Sequence, residues 1–489
     1  MLLFLKNLTP NQVTVLIITL FAALRLWMAS AVGLSVDEAH YALYGFYLDW
    51  SYFDHPPLIG WLQALILPFG SSDTALRIMP IALFALAGLT LHRLTSIFFP
   101  NETPWIGTLS VALLHSAAIL QLIGFAMLPD TPLLLIGLLA MLALHGVIVH
   151  QRTRDWLWLG LCLGLAALAK YTAVTLVFSV LLALTFSRQW GQLRRPGPWL
   201  AIVLSLLLIS PILLWNARHD WMSFAYQLHH GTGNLHWQLK HFGLTQAAQF
   251  LVYGPALFVF GLIAMVAAWR EHRQLGVLLC LALVLPVLLM FGWNSGYVMS
   301  LPHWTSLGWV GLSPLAARWI VRVWPNRLGK MSVVSAGVLS LSVLLLMFSQ
   351  LLHPWLPFKD NENVLRDLYG WQSASQRAET LRLEMAKQGV TAPVLFTANW
   401  TYASRLAWYA RPTPVVVLDD RNDQFDLWFG SPQAGSSGIL LWWPDQSPAE
   451  LVATQARFTS CTPKDQSPVV LNNHLVSTFT YYACLGFKH

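Results

Sequence analysis

Apolar runs long enough to cross a bilayer recur along the first three-quarters of this chain, and no other feature limits its fold as strongly. A run of about 20 apolar residues spans the hydrocarbon core as a helix, because a helix pairs its own backbone N–H and C=O groups within the segment. Such runs lie near residues 13–34, 76–98, 105–124, 132–150, 156–170, 172–187, 198–216, 247–269, 275–292, 303–321 and 332–352. They predict a polytopic α-helical membrane protein with about eleven transmembrane helices. With 56% hydrophobic and 10% charged residues, the chain is not a soluble globular protein. The N-terminal MLLFLKNLTPNQ carries one lysine and no small-residue cleavage site, so an uncleaved anchor is expected.

The net charge of +7 is not a nucleic-acid footprint. Basic residues lie mostly in alternate short connections: Arg93; Arg152 and Arg154; Arg188, Arg194 and Arg195; Arg270 and Arg273; then Arg318, Arg322, Arg327 and Lys330. By the positive-inside rule these connections and the N-terminus are cytoplasmic. The alternation also supports a split of the run 156–187 at residue 170. The first loop, the segment around Asp130, the connection 217–246 and everything after residue 352 are then expected on the far side. We divide the chain into a transmembrane catalytic domain, 1–352, with its first outer loop at 35–75, and an outer domain, 353–489.

The outer domain reads as a small α/β fold. Runs PVLFTA, PVVVLD, GILLWW and STFTYYACLGF have strand character, and residues 363–388 have helical character. Cys461 and Cys484 both fall here and can pair if the region faces an oxidising compartment; two separate thiols are the other reading. Cys162 and Cys280 sit inside apolar runs as inert buried thiols.

Residues 35–61, SVDEAHYALYGFYLDWSYFDHPPLIGW, gather Asp37, Glu38, Asp49 and Asp54 with His40, His55 and the interleaved aromatics Tyr41, Tyr44, Tyr47, Trp50, Tyr52 and Phe53 in a chain otherwise poor in charge. Tyr41 to Trp50 has helical spacing. The apolar run 58–69 is too short to span and reads as an interfacial or re-entrant helix. Two readings fit Asp37-Glu38. A partly desolvated carboxylate at the membrane boundary can take a proton from an attacking hydroxyl or amine; alternatively, Ser35 or Asp37 caps a helix whose first turn favours acids. Asp130, flanked by Pro129 and Pro132, is either a solvated turn aspartate or a second acid beside Asp37. His55, held before Pro56-Pro57, can donate to a phosphate oxygen or serve as a plain hydrogen-bonding residue. Lys170 either snorkels to the interface or pairs with an anionic group, of which a lipid phosphate is the obvious one at that depth. Arg25 calls for a structural partner, Arg77 lies near the outer headgroups, and His303 is placed to line a pocket. His219, His229, His230, His236 and His241 lack a metal-ligating spacing. No cofactor is called for, and a divalent cation at the phosphate is left open.

Several of these residues together carry a resemblance. Asp37-Glu38-Ala39-x-Tyr41, Tyr52-Phe53-Asp54-His55-Pro56-Pro57-Leu58, Pro129-Asp130-Thr131-Pro132, Ala169-Lys170-Tyr171-Thr172, Leu213-Leu214-Trp215-Asn216, Pro302-His303-Trp304 and the run 421–428 occur in order over most of the chain. The pattern resembles the bacterial branch of the dolichyl-phosphate-mannose-protein mannosyltransferase family, GT-C glycosyltransferases related to the aminoarabinose transferases of lipid A. The resemblance implies a GT-C fold, an inner-membrane location with a periplasmic C-terminal domain, and a polyprenyl-phosphate (undecaprenyl-phosphate) sugar donor. It implies an acceptor such as lipid A, lipopolysaccharide or another surface glycan. Asp37 takes the place of the family's catalytic acid and Asp130 that of its second aspartate. Glu38, Tyr41, Asp54, His55, Arg77, Lys170, Tyr171 and His303 are expected around the donor and its phosphate. Asp54 and His55 stand where those transferases carry an acid and a lysine; the histidine makes the phosphate contact pH-sensitive. The expected reaction is an inverting displacement in which Asp37 deprotonates the acceptor while His55, Lys170 and Arg77 stabilise the leaving lipid phosphate. A transporter or flippase of lipid-linked sugars would instead show paired broken helices and a charge at the midplane. A glycan polymerase or protein glycosyltransferase would differ only in the acceptor.

Overall fold

Helix forms at all eleven predicted positions of the computed structural model, which describes residues 8–232, 236–356, 364–443 and 447–488. Among the described residues, seven helices are long and apolar enough to cross a membrane: Pro10–Ala31, Asp73–Phe98, Asp130–His150, Pro196–Arg218, Leu239–Glu271, Leu275–Asn294 and Arg327–Leu352. The remaining positions hold Ile106–Ser116 continued by Ala118–Ile123, then Thr153–Ala169, Val174–Phe186 and Ser306–Val323. Two of these are short for a local reason. Ala117 breaks its helix with an extended backbone (φ −88°, ψ 120°), and Lys170 does the same (φ −158°, ψ 139°). The second break falls at the split that the basic alternation supports.

The chain divides into two units. The first comprises Met1–Trp27, Asp49–Ile59 and Arg77–Met347. Its helices pack through small residues, as helices in lipid must when burying apolar surface gives no advantage over lipid tails. Gly160 is one such point: a Cβ there would lie 2.6 Å from the Ala201 carbonyl oxygen. Gly254 serves a different purpose. Its φ of +75° kinks the helix Leu239–Ala268 before Pro255, and the Ala256 N–H beyond the kink donates to Ser340 Oγ at 3.3 Å. At one end of this unit the Arg318 guanidinium donates to Glu102 (2.6 Å) and Glu271 (2.7 Å), and Arg322 donates to Glu271 (2.6 Å). These pairs join three connections that the alternation assigns to one face.

The second unit comprises Met28–Leu48, Gly60–Leu76 and Phe348–His489. Its five-stranded sheet is built from β1 (Val394–Thr397), β2 (Val415–Val417), β3 (Gly438–Trp442), β4 (Phe458–Leu471) and β5 (His474–Phe487), in the order β2-β1-β3-β5-β4. The first three run parallel, while β5 is antiparallel to both β3 and β4. The helix Trp371–Lys387 buries Trp371, Ala374, Ala378 and Leu381, and Trp400–Tyr409 contributes Tyr402, Leu406 and Trp408 to the same core. Strand β4 escapes a reading of apolar alternation because it is an edge strand, largely exposed and carrying Pro463 and Pro468. Cys461 and Cys484 face each other across β4 and β5 and are joined by a disulfide. The helix Val36–Phe46 starts and ends earlier than the stretch Tyr41–Trp50 that its spacing predicts, while the helix Leu58–Ala64 and the following turn Leu67–Phe69 fall on the short apolar run 58–69.

Candidate active site

In the first unit, the stretch 49–59 is held by hydrogen bonds to two helices. From Pro196–Arg218, Trp215 Nε1 donates to Asp49 Oδ2 at 2.9 Å. From Met222–Thr232, Ser223 Oγ donates to the Tyr52 carbonyl at 2.7 Å and Gln227 Nε2 to the Asp54 carbonyl at 2.6 Å. Tyr226 packs on Phe53, ring centroids 4.7 Å apart. These contacts hold the loop in one conformation, which sets Asp54 and His55 just before the rigid Pro56-Pro57.

Asp130 opens its helix and is 2% exposed, which excludes the solvated turn aspartate. A carboxylate buried that deeply persists as an anion only beside a cation. Lys170 supplies it from the extended break between two helices, its Nζ donating to Oδ1 at 2.8 Å and to Oδ2 at 2.7 Å. Lys170 is itself buried, so it does not snorkel; its anion is Asp130. His303 Nε2 lies 3.9 Å from Asp130 Oδ2, and Ser306 Oγ is 3.5 Å from Oδ1. His55 is within electrostatic reach of the same carboxylate. The turn that leads into Asp130 is fixed by Thr131 Oγ1, which donates to the Ile123 carbonyl (2.8 Å) and lies 3.2 Å from that of Ala126. The unit thus collects Asp130, Lys170, His303 and His55 from segments far apart in sequence, at the end opposite to the Arg318 network.

The other candidate residues of this unit have their own surroundings. Arg77 is fully buried, its guanidinium 4.6 Å above the Phe125 ring. Tyr171 follows Lys170, its hydroxyl facing Ser51, Ser223 and Asn216, with Asp54 within electrostatic reach. Arg25 finds the structural partners expected of it: His115 Nδ1 at 3.1 Å, Gln121 Oε1 at 2.6 Å and the face of Phe84.

Sequence reasoning did not single out the polar network that holds His303. Tyr253 hydroxyl donates to the Pro302 carbonyl (2.8 Å), and Thr305 hydroxyl lies 3.3 Å from Gln249 Oε1, which also accepts from Trp309 Nε1 (2.8 Å). A polar stripe Thr245–Gln249–Tyr253 at four-residue spacing inside an apolar run was the available signal.

Asp37, Glu38 and Tyr41 belong to the second unit. Ser35 is the N-cap of Val36–Phe46, and it is Glu38 that closes the capping box: Ser35 N–H donates to Glu38 Oε2 at 3.1 Å. Asp37, half-buried in the first turn, is outside that cap. On the same helix His40 is buried among Tyr44, Trp400, Phe425 and Trp428 and meets Ser404 Oγ at 3.3 Å. Burial, reinforced by Asp423, raises the Asp419 carboxyl to about 6.

Of the histidines in 217–246, His219 stacks on Trp215, while the side chains of His229 and His230 lie outside the described residues. Among the described residues no group of three or more His, Cys, Asp or Glu is arranged to hold a metal ion.

Residues 54–215 match the profile of the dolichyl-phosphate-mannose-protein mannosyltransferase family. The lipid A galacturonosyltransferase RgtD of Rhizobium johnstonii is 26% identical over 319 residues, 64% of this chain. The match spans 65% of that relative's own length. ArnT from Cupriavidus metallidurans bound to undecaprenyl phosphate superimposes with a TM-score of 0.66 at 14% identity, over 96% of this chain and 97% of that one. The apo oligosaccharyltransferase of Archaeoglobus fulgidus gives 0.52 at 11% identity, over 91% and 71%. These structures share the fold of the present chain, and with the two sequence matches they bear out the resemblance read from its motifs.

Proposed function

We propose that this chain, a GT-C membrane protein related to the lipid A-modifying transferases, is a glycosyltransferase that uses a polyprenyl-phosphate sugar as donor. The acceptor in this reading is lipid A, lipopolysaccharide or another surface glycan at the periplasmic face of the inner membrane. One observation carries it: a buried cation, its carboxylate and two imidazoles gather at one end of the helix bundle, the depth at which a lipid-linked phosphate resides. The carrier keeps its tail in the bilayer and presents only its phosphate and sugar there. Placement at one end, rather than at the midplane, favours a transferase over a transporter. The disulfide of the second unit fits an oxidising compartment for that unit.

In this reading Asp37 is the base. The acceptor oxygen that Asp37 deprotonates attacks the anomeric carbon. The bond from that carbon to the phosphate oxygen breaks, its electron pair leaves with the polyprenyl phosphate, and the configuration inverts. Lys170, His303, His55 and Arg77 offset the charge that develops on the leaving phosphate, while Asp130 holds Lys170 in place. His55 gives that support a dependence on pH that a lysine would lack. Mass spectrometry of lipid A, surface glycans and periplasmic proteins, with and without the gene, tests the proposal. A sugar-mass difference in one class identifies the acceptor; identical spectra in all three refute the activity.

A further inference from the structure

Three successive backbone N–H groups lead into the helix Val36–Phe46 of the second unit, and each has a fixed acceptor. Gly33 N–H donates to the Leu368 carbonyl at 2.9 Å, Leu34 N–H to the Tyr409 hydroxyl at 3.1 Å, and Ser35 N–H to Glu38 Oε2 at 3.1 Å. The first contact needs glycine, since a Cβ at Gly33 would lie 2.5 Å from the Leu368 carbonyl oxygen. The second depends on a hydroxyl with one proton and two lone pairs. Tyr409 gives that proton to Asp73 Oδ2 at 2.6 Å and so presents a lone pair to Leu34. Asp73 opens the helix Asp73–Phe98, and Arg411 lies within electrostatic reach of both Asp73 and Tyr409. One side chain from the C-terminal part of the chain therefore ties together the starts of two N-terminal helices.

The same C-terminal segment holds Val36–Phe46 at two further points. Ser404 Oγ, on the helix Trp400–Tyr409, meets His40 Nδ1 at 3.3 Å, and the Arg411 guanidinium lies 5.7 Å from the centre of the Phe46 ring. Asp37 sits between two of these anchors, three residues after Leu34 and three before His40, less than one helical turn from each. Resting on the reading of Asp37 as the base, we infer that Tyr409 is a positioning residue for Asp37: its hydroxyl fixes the backbone from which the base projects. A general base works only within hydrogen-bond reach of the proton it takes, and a displacement of about 1 Å can cost roughly 100-fold in rate. The C-terminal segment is then part of the catalytic apparatus, although none of its residues touches the reacting atoms.

The test uses the full chain in nanodiscs. The donor is the host's own polyprenyl-phosphate lipid extract, the acceptors are its lipopolysaccharide and surface-glycan extracts, and product is read as sugar mass per folded protein. Tyr409→Phe keeps the ring and removes both hydrogen bonds of the hydroxyl. It should lower kcat about 10- to 100-fold with the donor KM unchanged, and raise amide hydrogen exchange over residues 33–38. Gly33→Ala, which disturbs the Leu368 contact, should act in the same direction and carries the test if Tyr409→Phe does not fold. In the Asp37→Asn background Tyr409→Phe should cost nothing further, because the group it positions is gone. The inference is overturned if Tyr409→Phe turns over like the wild type, or if it lowers the rate by the same factor with and without Asp37, as a general structural lesion would. Asp37→Asn alone reads the base assignment. Near-normal turnover in that variant removes both ideas, whereas an inactive Asp37→Asn beside a normal Tyr409→Phe removes only the inference. A wild type that transfers no sugar removes the transferase reading and the inference with it.

Discussion

Lys170→Met removes the cation from a carboxylate that has no solvent to turn to. Asp130 would retain Ser306 at 3.5 Å and an imidazole at 3.9 Å, neither of which replaces a full charge at 2.7 Å. Two unit charges at that separation attract by roughly 6 kcal/mol at an effective dielectric of about 20. Part of this is offset by the hydration both groups regain on unfolding, and removing one member of such a pair costs about 3–5 kcal/mol. Asp130→Asn should be destabilising for the converse reason, leaving a buried ammonium. The double variant carries neither charge and should be more stable than Lys170→Met alone, with a coupling of at least about 2 kcal/mol between the sites. Thermal unfolding of the four purified proteins, followed by tryptophan fluorescence at one pH and one lipid composition, measures this. If Lys170→Met unfolds at the wild-type temperature, or if the two losses simply add, the pair is not the buried, mutually dependent unit that the geometry describes.

Asp37→Asn should lower sugar transfer by at least about 100-fold in protein that still unfolds cooperatively; near-normal turnover would remove Asp37 from the role. Asp419 should make stability depend on pH. Its folded value of about 6 lies above the unfolded value of about 4, so the folded state holds more protons between the two and stability falls as pH rises through that window. Asp419→Asn should flatten the slope of unfolding temperature against pH from about 4 to 6, and an unchanged slope would show that the side chain is not held as described. The Cys461–Cys484 bond closes a separation of 23 residues, for which the chain-entropy relation gives about 3 kcal/mol. Dithiothreitol, or Cys461→Ser with Cys484→Ser, should lower the unfolding temperature, and a free-thiol count under denaturation distinguishes bonded from separate cysteines.

The spans are legible because a bilayer imposes one rule on every segment that crosses it, and hydropathy and basic residues report that rule locally. Even the break at Lys170 is foreshadowed by them: the alternation of basic connections supports it, and the backbone there is extended. The Ser35–Glu38 cap is likewise written in four consecutive residues. Strand β4 is not legible, because an exposed edge strand with two prolines has no buried face to leave a period in the sequence.

The candidate site divides the same way. Its residue types could be picked out one at a time, since charge in an apolar chain is conspicuous. What each one does depends on partners far off along the chain: Lys170 meets Asp130 across 40 residues, Ser306 meets the same carboxylate across 176, and Gln227 grips the Asp54 carbonyl across 173. The sequence of this protein determines that it is a bundle of membrane helices and which polar groups it carries. Only the tertiary structure decides that Lys170 faces a carboxylate rather than water, and that the Tyr171 hydroxyl faces Ser51, Ser223 and Asn216. Pairing of buried charges and hydroxyls is settled by helix packing, which hydropathy does not encode.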